Sequence, residues 1–192
     1  MTSSRAPPAV RPPPPAVPDV KLLILRHAIA FPRDAKRWPD DSARPLTAEG
    51  VKRARRAAAG LRRISQRPAL VLTSPLVRAH DTAAIFAQAA RWPKALECTA
   101  LAPGESPETA LEALRRQGGK LDCVAVVGHQ PHLGRLLALC LRGEARAEAF
   151  ELKKSAVACL RFEGPPRAGQ GVFQWSLSPR ILRKLSRRRA SQ

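Results

Sequence analysis

At 192 residues the chain is long enough to bury a core of its own, and with 34 Lys and Arg against 15 Asp and Glu it carries a formal charge of +19. Its four cysteines, Cys98, Cys123, Cys140 and Cys159, are scattered with no C-x-x-C pair, which argues against a disulfide framework or a zinc cluster and fits reduced thiols in a cytoplasmic protein. No apolar run reaches the roughly 18 residues of a membrane span, and prolines interrupt the N-terminus where a secretory signal needs an apolar centre, so neither membrane insertion nor export is expected.

A charge of this size points to nucleic acid, anionic surfaces or phosphorylated substrates. Its texture tempers that reading: Arg outnumbers Lys 26 to 8, Ala is abundant and Tyr is absent, the mark of a general compositional bias more than of one binding face.

Residues 1–18 are so rich in Pro that they can form neither helix nor ladder, and they read as a disordered, extended leader. A ligand for a proline-binding module is the sharper alternative. From Val20 to Leu25 a continuous apolar run, broken only by Lys21, marks a strand buried on both faces of a parallel sheet. It delivers Arg26 and His27 at its end. The segment from Phe31 to Arg44 mixes Pro, Asp and Arg and reads as a surface loop bordering whatever lies there.

Thr47 is placed to cap a helix with Glu49 in its first turn, and Val51, Ala54, Ala58, Leu61 and Ile64 recur at helical spacing as a buried stripe. Lys52, Arg53, Arg55, Arg56, Arg62 and Arg63 fill the opposite face, which reads as solvated, with a nucleic-acid stripe as the alternative. Ala69 to Thr73 is a second short strand. Ser74-Pro75 then reads as a cap followed by Pro at the first helical position, with the helix running to about Ala90. Arg78 falls in its first turn, where a cation opposes the helix dipole unless an anion sits beside it.

Leu96 to Leu101 is expected as another short strand, Ser106 as the cap of a helix ending near Gly118-Gly119, and Cys123 to Val127 as the clearest strand of the chain, terminated by Gly128-His129. Pro131 restarts a helix to about Leu141. Ser155 to Phe162 and Gly171 to Leu177 alternate like strands and pair as an antiparallel edge. Arg180 to Arg189 holds six cations and no acid, and reads as a solvated terminal helix, with an acidic partner or RNA as the alternative.

The alternation of strands and helices implies an α/β fold: a three-layer α/β/α sandwich with a mostly parallel central sheet and an antiparallel edge. In such sheets ligands bind beyond the carboxyl ends of the strands, and Arg26, His27, Arg78 and His129 all fall at that edge. Two guanidinium groups that stay charged and two imidazoles suit a dianionic phosphoryl group, one imidazole attacking phosphorus while the other donates to an oxygen. The scheme requires no metal or other cofactor. His129-Gln-Pro-His132 lacks a third ligand at credible spacing, so metal binding is not expected, and Asp81, three residues after Arg78, reads as a group that orients a neighbouring Arg or His.

The stretches RHA at 26–28, RPLT at 44–47, SPLVRAHDTA at 74–83 and GHQPHLG at 128–134 resemble the histidine phosphatase superfamily, its small SixA-type phosphohistidine phosphatases in particular. The likeness extends through SAVACLRF at 155–162 and VFQWSLSP at 172–179, and so spans nearly everything from 20 to about 185. It implies a phosphoglycerate-mutase-like fold, a catalytic domain over 19–179 between the Pro-rich leader (1–18) and a basic tail (180–192), and His27 as a nucleophile that forms a phosphohistidine intermediate. Arg26, Arg78 and His129 then complete the phosphate pocket, with Arg44 as a further substrate-binding candidate. The usual RHG triplet is RHA here, with Ala28 still small. Glu105, in the LAPGES loop, is the candidate proton donor, and Glu108 reads as an ordinary first-turn carboxylate.

The function implied is a metal-independent phosphatase acting on phosphohistidine in a protein such as a histidine-phosphotransfer domain. The first alternative is a phosphatase of a small phosphomonoester or nucleotide. The second is a non-catalytic basic protein that binds RNA or anionic surfaces, a class against which the intact Arg-His-Arg-His set speaks.

Overall fold

The computed structural model describes residues 18–118, 121–145 and 150–186. Nearly all of the Pro-rich leader and the end of the basic tail lie outside the described residues. Six strands form one sheet: β1 (Asp19–Arg26), β2 (Leu70–Thr73), β3 (Leu96–Glu97), β4 (Cys123–Gly128), β5 (Val157–Glu163) and β6 (Val172–Leu177), in the order β3-β2-β4-β1-β5-β6. The first four run parallel, whereas β5 lies antiparallel to β1 and β6 antiparallel to β5. The fold is thus the expected α/β sandwich with an antiparallel edge.

Five helices cover the sheet: α1 (Ala48–Leu61), α2 (Val77–Ala89), α3 (Pro107–Gly118), α4 (His132–Arg142) and α5 (Pro179–Leu185). The apolar run of β1 explains the layering, because successive side chains leave opposite faces of a strand. Leu22 and Ile24 join Leu114, Leu133 and Leu136 from α3 and α4 in one core. Leu23 and Leu25 join Leu61, Phe86 and Leu182 from α1, α2 and α5 in the other.

Several local expectations need correction. The helix after β2 starts at Val77 rather than Pro75: the Ser74 hydroxyl bonds to His129 and accepts from the Leu76 N–H, and no side chain caps the helix. The strand expected over 96–101 is only two residues long, since the chain coils into a 3-10 turn at Thr99–Leu101 that buries Ala100 and Leu101. Ile64 lies beyond the end of α1 and is 46% exposed, so the buried stripe stops at Leu61. The basic segment after 179 does not begin as a solvated helix: α5 packs on α1, with Leu182 fully buried. The contact is close enough that a Cβ on Gly60 would lie 1.8 Å from the Leu182 carbonyl oxygen.

Thr47 caps α1 as expected, its Oγ1 accepting from the Gly50 N–H at 3.0 Å. The Thr47 N–H donates to the carbonyl of Ile29, which ties this helix start to the loop leaving β1. No helix among the described residues is long and apolar enough to cross a membrane.

Candidate active site

The register of the parallel strands decides which residues meet. β1 and β4 pair so that Arg26 lies opposite Gly128, which brings His27 and His129 to the same sheet edge. Their rings are 5.0 Å apart between centroids, tilted by 50°. The Ser74 N–H donates to the Val127 carbonyl, and this link sets the start of α2, and with it Arg78, at that edge.

His27 is buried, and its Nδ1 lies 2.7 Å from the carbonyl oxygen of Ala28. A carbonyl can only accept, so Nδ1 carries the proton and Nε2 is left with its lone pair, the form a nucleophile requires. Burial pushes the His27 pKa down to about 3, with the Arg78, Arg26 and Lys154 cations adding to the shift and the Ala28 hydrogen bond opposing it. The imidazole is therefore neutral at physiological pH. The Ala28 N–H, in turn, donates to Oγ1 of Thr82 at 2.9 Å, and that hydroxyl donates to the Arg78 carbonyl at 2.6 Å. One buried threonine thus joins the loop that follows His27 to the helix that carries Arg78.

His129 bonds through Nε2 to Oγ of Ser74 at 2.8 Å, and its buried Nδ1 has no partner among the described residues. Its pKa is lowered to about 2, chiefly by burial and then by His27 and Arg78. Arg78, only 3% exposed, is held by Asp41: Nη1 donates to the backbone carbonyl at 2.8 Å and Nη2 to the carboxylate at 3.0 Å. Arg44 donates through Nε to the same carboxylate at 2.7 Å and through Nη1 to the Phe31 carbonyl. Arg26 is half-buried and donates to the Leu152 carbonyl.

These residues enclose a cavity of 290 Å³ lined by Arg26, His27, Arg44, Arg78 and His129, together with Phe31, Pro32, Arg33, Pro103, Gln130 and Lys154. Five of the lining side chains are cationic, and no carboxylate is among the described residues that line it. Burial lowers the pKa of Arg26, Arg78 and Lys154, and neighbouring cations add to the shift for the last two. Nε of Arg26, Nε of Arg78 and Nδ1 of His129 are buried polar atoms without a partner among the described residues. An unpaired buried polar group costs about 1–3 kcal/mol, so three of them on residues that line one cationic cavity suit an oxyanion there. Trp38 Nε1 and His132 Nδ1 are also unpartnered, but neither residue lines this cavity.

All four sequence candidates, Arg26, His27, Arg78 and His129, therefore converge, and Arg44 joins them. Glu105 does not: it is exposed and outside the lining, which the loop enters through Pro103 instead. The carboxylate that orients Arg78 is Asp41, from the loop, and not Asp81. His132 is buried with Nε2 3.3 Å from the Ser106 carbonyl, and among the described residues no three His, Cys, Asp or Glu side chains cluster to hold a metal ion. The sequence does not single out Asp41, Thr82, Gln130 or Lys154, and it presents Ser74 as a helix cap rather than as the partner of His129. Ser74 and Thr82 lie inside the SPLVRAHDTA stretch, which marks their position but not these contacts.

The model of the histidine phosphatase superfamily (branch 1) matches residues 22–101, a span that contains Arg26, His27, Arg44 and Arg78. An uncharacterised protein of Picosynechococcus is 34% identical over 143 residues, covering 74% of this chain and 85% of that one. The chain belongs to the histidine phosphatase superfamily. Within it, the phosphohistidine phosphatase SixA of Escherichia coli is 29% identical over 167 residues, covering 83% of this chain and 94% of SixA. A solved structure of the protein histidine phosphatase SixA complexed with tungstate superposes with a TM-score of 0.71, covering 85% of this chain and 99% of that one. A phosphoserine phosphatase of Entamoeba histolytica, 16% identical, shares the fold at a TM-score of 0.60, over 85% of this chain and 99% of its own. The superfamily and the likeness to SixA make this histidine phosphatase superfamily member a phosphatase.

Proposed function

We propose that this phosphatase removes the phosphoryl group from phosphohistidine in a protein substrate, with His27 as the nucleophile. The observation that carries the reading is the composition of the cavity wall: five cations, two histidines and no carboxylate among the described lining residues. Hydrolysis of an alkyl phosphate calls for a proton donor to the departing alkoxide. A phosphorylated imidazole protonated on its other ring nitrogen departs as neutral imidazole and needs none.

In the first step the lone pair on Nε2 of His27 attacks phosphorus, the P–N bond to the substrate ring breaks, and that electron pair returns to the substrate imidazole. Arg26, Arg44, Arg78 and Lys154 balance the charge on the transferring oxygens, with Nδ1 of His129 beside them. The phosphorylated His27 ring keeps its Nδ1 proton against the Ala28 carbonyl, so it is itself a good leaving group. Water then attacks phosphorus, the P–Nε2 bond breaks, the electron pair returns to Nε2, and both water protons leave with the product as dihydrogen phosphate. The positive charge that phosphoryl transfer needs comes entirely from side chains in this scheme, so it calls on no metal.

The test is transfer of 32P from a panel of donors: a phosphorylated histidine-phosphotransfer domain, p-nitrophenyl phosphate and sugar phosphates. The expected outcome is label trapped on His27 and fastest release from the phosphoprotein, both lost in His27→Ala. Turnover of the small esters alone would leave the phosphomonoester reading in its place. Salt-sensitive RNA binding without any turnover would leave the non-catalytic one.

A further inference from the structure

A second hollow, of 550 Å³, runs beside the cavity and shares two of its walls, Arg26 and Lys154. Its other sides come from three separate parts of the chain: Arg53 on α1, Lys153 in the segment before β5, and Arg180 and Arg183 on α5. Glu151 is the lone acid in the wall among the described residues. Arg53 is already paired with Glu49, but Lys153, Lys154, Arg180 and Arg183 have no carboxylate within 4 Å among the described residues. Like charges gathered around a concave surface with so little compensation raise one another's cost and create a field that an anionic partner relieves.

We propose that this groove docks an acidic polypeptide segment of the substrate protein, next to the phosphohistidine that enters the cavity. The inference rests on the phosphoprotein reading above and names what selects the protein. Continuity through Arg26 and Lys154 makes the groove an extension of the phosphate site, so a chain lying in it presents its phosphorylated ring at His27. Lys153 and Arg180 are exposed on the rim, an arrangement that steers an extended chain and does not clamp a single phosphate. The floor includes Ile29 and Pro179, against which aliphatic stems can rest. Among the described residues no aromatic side chain lines it, so these offer no stacking platform for the bases of a single-stranded nucleic acid.

The experiment pairs the wild type with a Lys153→Glu/Arg180→Glu variant, both positions being exposed and outside the catalytic cavity. A fluorescent Asp/Glu-rich peptide, a Ser/Gly peptide and a short single-stranded oligonucleotide serve as binding probes. The acidic peptide is expected to bind the wild type at least about tenfold more tightly than either competitor, to weaken as salt rises, and to lose about tenfold in the variant. With a phosphorylated histidine-phosphotransfer domain as substrate, KM should rise about tenfold in the variant, while p-nitrophenyl phosphate turnover stays within about twofold. Equal peptide affinity in the two proteins, preference for the oligonucleotide, or equal turnover of the phosphoprotein by both would each overturn the groove. A wild type that ignores the phosphoprotein yet binds the acidic peptide through these two cations would overturn the phosphoprotein reading and leave the groove standing as an acidic-peptide site.

Discussion

Asp41 holds Arg78 at two points, its carboxylate accepting from Nη2 at 3.0 Å and its backbone carbonyl from Nη1 at 2.8 Å, while the same carboxylate accepts from Nε of Arg44. A single loop acid thereby fixes two buried guanidinium groups without itself lining the cavity. The hydrogen bond from Arg44, and then the charges of Arg78 and Arg44, keep its carboxyl below the ordinary carboxylate range.

Removing that carboxylate therefore acts on geometry and stability together. Asp41→Ala leaves Arg78 with only its bond to the backbone carbonyl and deprives Arg44 of its acid. Because Asp41 is partly exposed, the stability loss should be about 1–2 kcal/mol rather than the larger value of a fully buried pair. The kcat/KM for p-nitrophenyl phosphate should fall at least about tenfold. Asp41→Asn, which keeps an accepting oxygen, should recover part of both losses. Denaturant unfolding alongside steady-state kinetics reads the two effects, and unaltered kinetics in Asp41→Ala would contradict the positioning role.

Thr82 offers a cleaner separation of scaffold from chemistry. Its hydroxyl accepts from the Ala28 N–H and donates to the Arg78 carbonyl inside the core. Thr82→Val keeps the shape and removes both bonds, leaving a buried N–H unpaired at a cost of about 1–3 kcal/mol. Since Ala28 directly follows His27, the proposed nucleophile, kcat should fall more than KM rises. Loss of stability with unchanged kcat would confine Thr82 to the scaffold.

Ser74→Ala should act on the other imidazole. The Ser74 hydroxyl is the described hydrogen-bond partner of His129, at 2.8 Å, and both side chains are buried. Without it the ring is free to turn, and kcat should drop about tenfold for a stability change of about 1 kcal/mol. Kinetics identical to the wild type would mean that packing alone orients the ring.

How far the sequence displayed these relationships depends on the range of the forces that set them. β1 and β4 announced themselves because an apolar run closed by polar residues needs no partner to be recognised, and their parallel pairing then had to carry Arg26, His27 and His129 to one edge. Asp41 and Lys154 gave no such signal. Each is a charged residue in an irregular stretch, and its place at the cavity comes from tertiary packing that has no period in the chain. Glu105 illustrates the reverse error: a carboxylate in a suitable loop, brought near the site by the order of the elements yet turned out of the cavity that Pro103 enters. The segment 180–189 reads as solvated because six cations dominate its composition, whereas one apolar residue among them, Leu182, fixes α5 to α1.

That contact predicts that α5 is part of the folding unit. Gly60→Ala would set a methyl 1.8 Å from the Leu182 carbonyl oxygen, a backbone atom that moves only with the helix. Such overpacking costs about 1–3 kcal/mol. Leu182→Ala should cost about 2–5 kcal/mol by leaving a cavity in the core shared with Leu61 and Phe86. A chain ended at residue 178 should lose at least as much as Leu182→Ala, measured by thermal or denaturant unfolding. Wild-type stability in that truncated chain would return the segment to the status of a tail.

The two cavity histidines set a pH dependence whose sign is fixed. Burial brings His27 to about 3 and His129 to about 2, against an ordinary value of 6.5. Below pH 6.5 the unfolded chain takes up protons on both rings while the folded one does not, so stability falls as pH falls through the window from 6.5 toward 3. Each ring contributes a slope of up to about 1.4 kcal/mol per pH unit. The interval between about pH 6.5 and 5 is the place to look, because most carboxylates stay ionised there. A His27→Asn/His129→Asn variant removes both groups and should flatten the slope by about 2–3 kcal/mol per pH unit at most. Denaturant unfolding of the two proteins at several pH values makes the comparison, and ring-resolved NMR titration of the wild type should find both imidazoles still neutral at pH 5. Equal slopes, or rings that titrate near 6.5, would mean that the cavity wall does not hold its histidines in the neutral form that attack on phosphorus requires.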